Sequence, residues 1–83
     1  MRVRYFAWLR SRLNRAEEAV APPPGVTTLN GLIDYLATLS PGHAAVFEDR
    51  SVIRAAINQV FADLDASFAP GDEVAFFPPV TGG

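Results

Sequence analysis

The seven prolines of this 83-residue chain fall at four places, and they limit how long any regular element can be. Proline locks φ and lacks an amide hydrogen, so it neither sits inside a helix nor continues a central strand ladder. Pro22-Pro23-Pro24-Gly25, Pro41-Gly42 and Pro70-Gly71 place glycine beside proline and read as turns. The fourth place is different. Pro78-Pro79 leaves only Val80-Thr81-Gly82-Gly83 after it, so the sequence divides into a domain over residues 1–77 and a tail over 78–83. A single domain of this size buries only about 60–65% of the surface its unfolded chain exposes, which leaves little room for a large catalytic cleft.

Between these stops the periodicity is readable. Arg2 to Leu9 alternates, with Val3, Tyr5, Ala7 and Leu9 on a core face and Arg2, Arg4, Phe6 and Trp8 on the other, which predicts a strand. Arg10 to Asn14 follows as one helical turn with Asn14 left-handed, and Glu17 to Ala21 as a short strand pairing back on the first. Thr27 or Thr28 caps the main helix, whose stripe is Leu29, Leu32, Ile33, Leu36 and Leu39. Gly31 within it suggests close packing against a sheet. A helical turn over Ala44 to Glu48, a strand from Val52 to Asn58 and a last strand from Glu73 to Phe77 complete the pattern. One helix covering one face of a small mixed sheet gives an α+β roll, with the first and last strands side by side at its centre.

Charge and composition exclude more than they assign. Nearly half the residues are hydrophobic and under a fifth charged, the profile of a folded domain. No apolar run is long enough to cross a bilayer and no signal-peptide core follows Met1, so the expected location is cytoplasmic, without a membrane partner. Five arginines and no acids occupy the first fifteen residues, whereas the remainder holds two arginines against nine acids. With a net charge of −2, no lysine and no recognition helix, this reads as a solvated or protein-facing edge and not a nucleic-acid surface. No cysteine is available for a disulfide, a thiolate metal site or a nucleophile, and no lysine for Schiff-base chemistry. His43 stands alone in a Pro-Gly-His turn, without a second histidine to share a metal, and reads as exposed or capping. Glu17-Glu18, Glu48-Asp49 and Asp72-Glu73 read as solvated charges at turns and strand ends, and no serine has a base partner.

Chemistry is left to the tail. Fully extended, its six residues reach roughly 20 Å. Two prolines stiffen the stem, which lowers the entropy lost on capture, and two terminal glycines pass through a channel too narrow for side chains. The carboxyl carbon of Gly83 is then presented without steric shielding.

Gly71-Asp72-Glu73-Val74-Ala75-Phe76-Phe77-Pro78-Pro79-Val80-Thr81-Gly82-Gly83 resembles the C-terminal signature of the molybdopterin synthase small-subunit family. Phe6-Ala7-Trp8-Leu9-Arg10 and Ala55-Ala56-Ile57-Asn58-Gln59 are similar to its first and third strand segments, while Ser11 and Asn14 stand where many members have an acid and a glycine. The resemblance implies a ubiquitin-like β-grasp fold and a sulfur carrier that is not an enzyme by itself. An E1-like adenylating enzyme would spend ATP on the Gly83 carboxylate, and a sulfur donor system would convert the acyl-adenylate to a thiocarboxylate. In the synthase large subunit that group would give sulfur to cyclic pyranopterin monophosphate during molybdenum cofactor biosynthesis. No cofactor or metal is expected to stay bound. Gly82, Thr81, Val80, Pro79 and Pro78 would lie in partner channels, and Phe76, Phe77, Arg10, Phe6 and Trp8 are the interface candidates, with alternation placing one of the two phenylalanines in the core. Two related readings share the chemistry: a sulfur carrier of the thiamine pathway and a ubiquitin-like modifier of other proteins. A plain binding module with an inert tail is the third.

Overall fold

The structure, a computed structural model, describes residues 1–79; the sequence expectations for Val80, Thr81, Gly82 and Gly83 lie outside the described residues. Among the described residues five strands form one mixed sheet: β1 (Arg2–Tyr5), β2 (Glu17–Ala19), β3 (Arg54–Ile57), β4 (Val60–Ala62) and β5 (Glu73–Phe77), in the order β2-β1-β5-β3-β4. β1 and β5 run parallel side by side near the middle, as the order of elements requires, and the remaining pairs are antiparallel. Three helices, α1 (Ala7–Leu13), α2 (Leu29–Ala37) and α3 (Pro41–Val46), supply Leu9, Leu13, Leu29, Leu32, Ile33, Leu36 and Val46 to a core closed below by Val3, Tyr5, Ala55, Val74 and Phe76. The α+β roll is as expected, with α2 its main helix.

α2 starts where Thr28 accepts from the Gly31 amide at 3.1 Å. The space that a Cβ on Gly31 would fill faces Thr28 and Val26, so the glycine serves the cap and not a sheet contact. Two further amides of the first turn, Leu29 and Asn30, donate to the carbonyls of Ala66 and Leu64 in the segment between β4 and β5. The stripe loses its last member: after Ala37 the chain tightens, with Thr38 bonding back to Tyr35 and Leu39 to Leu36, and Leu39 turns outward to 40% exposure.

The largest correction concerns the first strand. β1 ends at Tyr5, Phe6 takes an extended N-cap conformation, and Ala7, with φ 54°, turns the chain into α1. Leu9 still reaches the core, but from a helix, whereas Ala7 is exposed. Asn14 closes α1 in the left-handed conformation expected for it. The third strand also begins later, because a short 3₁₀ turn over Arg50–Val52, capped by Asp49, precedes it. β4 was not anticipated.

Candidate functional site

All three helices pack on one face of the sheet; among the described residues no helix covers the other. Register identifies what that bare face carries. The row Glu17, Arg4, Ala75, Ala56 and Phe61 crosses it, and Arg54 opposite Phe77 forms the next row at its end. Phe61, 78% exposed, stacks on Phe77 with ring centroids 5.6 Å apart, and together with Arg54, Ala55, Ala62 and Asp63 these rings line a groove of about 390 Å³. Phe6, also exposed, lies under the Arg4 guanidinium at 5.2 Å, while its amide donates to the Phe76 carbonyl at 3.1 Å. An apolar patch rimmed by arginine thus surrounds the point where β5 delivers the chain to Pro78 and Pro79, both half-buried. Such a patch is the surface expected at a protein interface.

The five interface candidates do not stay together. Phe76 has 0% exposure and packs edge-on against Phe47 at 5.2 Å, so it belongs to the core and has no surface to offer; Phe77, pointing the other way, does. Phe6 joins Phe77 at the tail root. Trp8 departs with α1: it is half-buried beneath Arg12 at 5.2 Å and lines a separate hollow with Ala45, Val46, Glu48, Asp49 and Val52. Arg10 is exposed on the same helix, its guanidinium without a hydrogen bond or ion pair among the described residues. Sequence reading missed Phe61. Its partner Phe77 is sixteen positions away, and only the unanticipated β4 brings them together.

Three polar expectations are corrected, those for His43, for Glu18 and for Ser40, which does meet an imidazole. His43 is buried at 3% exposure, with Nδ1 2.7 Å from the Ser40 hydroxyl and Nε2 2.7 Å from Glu18. Glu18 is not a solvated charge, for it also accepts from the Tyr5 hydroxyl at 2.6 Å and from Arg15 at 2.9 Å. Burial raises its carboxyl pKa, but the hydrogen bonds from His43 and Tyr5 and the charges of His43 and Arg15 outweigh that and hold it below 4.5. Burial and then the Glu18 carboxylate push the Tyr5 phenol far up. Among the described residues no three His, Cys, Asp or Glu side chains are placed to hold a metal ion, and no helix is long and apolar enough to cross a membrane.

Known proteins share this architecture. The ThiS family profile matches residues 3–83. The molybdopterin synthase sulfur carrier subunit of Escherichia coli (strain K12) is 39% identical over 84 residues, covering 100% of this chain and 99% of that protein. The crystal structure of small archaeal modifier protein 1 from Haloferax volcanii superposes with a TM-score of 0.76 at 30% identity, covering 96% of this chain and 97% of the other. A chain from the complex of subunits 1 and 2 of molybdopterin-converting factor from Helicobacter pylori 26695 gives a TM-score of 0.61 at 25% identity, covering 99% and 96%. The fold is therefore the ubiquitin-like β-grasp, and the chain belongs to the ThiS family.

Proposed function

We propose that this chain is the sulfur-carrier subunit of a molybdopterin synthase, not catalytic alone, and that it holds sulfur as a thiocarboxylate on Gly83. The observation that carries this is the end-to-end similarity to a protein of that name, at 39% identity with 100% of this chain covered. The bare, arginine-rimmed face at the root of the tail supports it as the landing surface for a large subunit, beside the point where Pro78 leaves β5.

A carboxylate is a poor electrophile, so the terminus needs activation. An E1-like adenylating enzyme converts it with ATP to an acyl-adenylate and pyrophosphate. The terminal sulfur of a donor persulfide attacks the carbonyl carbon and AMP leaves. A thiol then cleaves the S–S bond, and the thiocarboxylate remains. In the large subunit that sulfur passes to cyclic pyranopterin monophosphate. This chain supplies the reacting atom and the reach, and holds no resident cofactor.

Intact mass spectrometry after incubation with an adenylating enzyme, ATP and a persulfide donor is expected to show one oxygen exchanged for sulfur. Deletion of Gly83 is expected to abolish both the exchange and sulfur transfer. Absence of the exchange with every sulfur-loading system tried rules the carrier reading out. The likeness to a small archaeal modifier favours a second reading, attachment of the same activated end to amines of other proteins. Target-linked adducts in cells would separate it from a free carrier in complex with one larger subunit.

A further inference from the structure

We infer that the body of this carrier is nucleophilically silent: the side chains that attack an activated acyl group near neutral pH are either missing from it or already committed elsewhere. The inference rests on the activation of Gly83 proposed above. It concerns what the rest of the molecule must not do while that end is reactive.

Thiols and amines are the strongest such nucleophiles. The chain has no cysteine, and its seven Lys/Arg residues are all arginine. A guanidinium stays protonated throughout the biological range and has no lone pair to offer. For some of these arginines the planar fork has a structural use: Arg50 donates to the carbonyl and side chain of Asn30 and pairs with Asp34, and Arg54 donates to the Ser51 and Ile53 carbonyls. Arg10 has no such bond among the described residues, and Arg2 pairs only with Glu17 on the exposed surface, where lysine would serve as well. Fork geometry therefore does not account for the whole substitution.

Of the remaining nucleophiles the imidazole and one of the two phenols are held, while the half-buried Tyr35 and the surface hydroxyls lack the nucleophilicity of a thiol or an amine. His43 is the one imidazole, and both its nitrogens are occupied, by Glu18 and by Ser40, at 3% exposure. The Ser40 oxygen also accepts from the His43 amide at 3.1 Å, so one hydroxyl caps α3 and holds the Nδ1 edge of the ring in place. Tyr5 is buried with its phenol on Glu18. The Met1 amine donates to the Val20 carbonyl at 2.9 Å, which fixes it at the end of β1 opposite the one where β5 delivers the tail. An acyl end carried on this body meets no side-chain thiol or amine of its own kind, so self-ligation does not compete with the sulfur donor. A unit joined to an amine of another protein likewise offers no lysine for the next, and attachments stay single.

The test needs no activating enzyme, so it can fail independently of the sulfur-loading experiment. Carrier bearing a C-terminal thioester, made by thiol cleavage of an intein fusion, is held concentrated at mildly alkaline pH and followed by intact mass. Amine attack at the carbonyl would break the C–S bond, release the thiol with the proton, and leave a species of twice the carrier mass less the thiol. The parent is expected to show hydrolysis alone, while added glycinamide traps its thioester as the amide. Arg2→Lys and Ala44→Lys, both on exposed surface and neither among the interface candidates, are expected to give the doubled mass. Parent dimers mapped to Met1, or lysine variants as free of dimer as the parent while glycinamide reacts, would overturn the inference.

Discussion

Glu18 shows how much one side chain settles in a domain this small. Its carboxylate receives Tyr5 from β1, His43 from α3 and Arg15 from the loop before β2, so it ties a sheet edge to a helix. Its folded pKa lies below its ordinary 4.5, so the unfolded chain takes up a proton first as the pH falls. The Glu18 contribution is full above 4.5 and fades as the pH drops through the depressed folded value. Asp49, held down by the Ser51 hydroxyl and amide, and Asp72, held down by the Ala69 amide and then Asn58, act in the same direction on the surface. Glu18→Gln is expected to lose about 1–3 kcal/mol at neutral pH, because charge-assisted bonds to buried donors become neutral ones. Urea titrations across acidic pH are expected to show a shallower slope for the variant, with the surface aspartates keeping part of it. An unchanged slope would show that Glu18 does not contribute to the acid sensitivity. Nothing local announced this cluster: a histidine after Pro-Gly looks like a surface residue, and its carboxylate partner is 25 positions away. Phe76 and Phe77 were more legible, since alternation required one of them to point inward and only the choice awaited the structure.

Element boundaries were misread where backbone geometry runs against residue type. Ala7, Asn58 and Gln59 all have positive φ, at 54°, 49° and 71°, and only asparagine adopts that region readily. A glycine at position 7 would have signalled the end of β1, and Asn-Gly at 58–59 would have signalled the hairpin between β3 and β4. Asn58 compensates through the neighbouring strand: its side chain accepts from the Glu73 amide and donates to Asp72, each at 3.0 Å. Gln59 has no such bond among the described residues. Gln59→Gly is expected to relieve the left-handed strain at some cost in unfolded-state entropy, a net gain of about 0.5–1 kcal/mol. For a domain of this size that is a rise of roughly 2–8 °C in melting temperature. A fall in calorimetry would mean the strain is absorbed elsewhere. α2 was legible because its stripe and its threonine cap agree with each other, and only the tightened last turn displaced Leu39.

At the scale of the molecule, packing the three described helices on one face leaves the other uncovered among the described residues. Phe61, Phe77 and Phe6 lie there beside the chain exit, so a partner that takes up the tail would meet them first, with Arg4 and Arg54 at the rim. Trp8 lies around the corner, against the helices. These positions make opposite demands. Phe61 is 78% exposed, so Phe61→Asp is expected to leave folding stability within about 0.5 kcal/mol. Yet it would place a charge within the apolar patch, beside Phe77, with an expected loss of at least about 2 kcal/mol in large-subunit affinity, roughly 30-fold in Kd. Trp8→Ala removes a ring that packs against the domain's own core, so it is expected to cost more in stability than in affinity. Isothermal titration against the large subunit, paired with urea unfolding of each variant alone, reads both quantities. Should Trp8→Ala weaken binding more than Phe61→Asp, the partner sits on the helix side and the tail must bend round the sheet edge to reach it. The expected order places the landing surface at the root of the tail, where Pro78 leaves β5, so that capture of the patch would bring the proposed thiocarboxylate end to the large subunit.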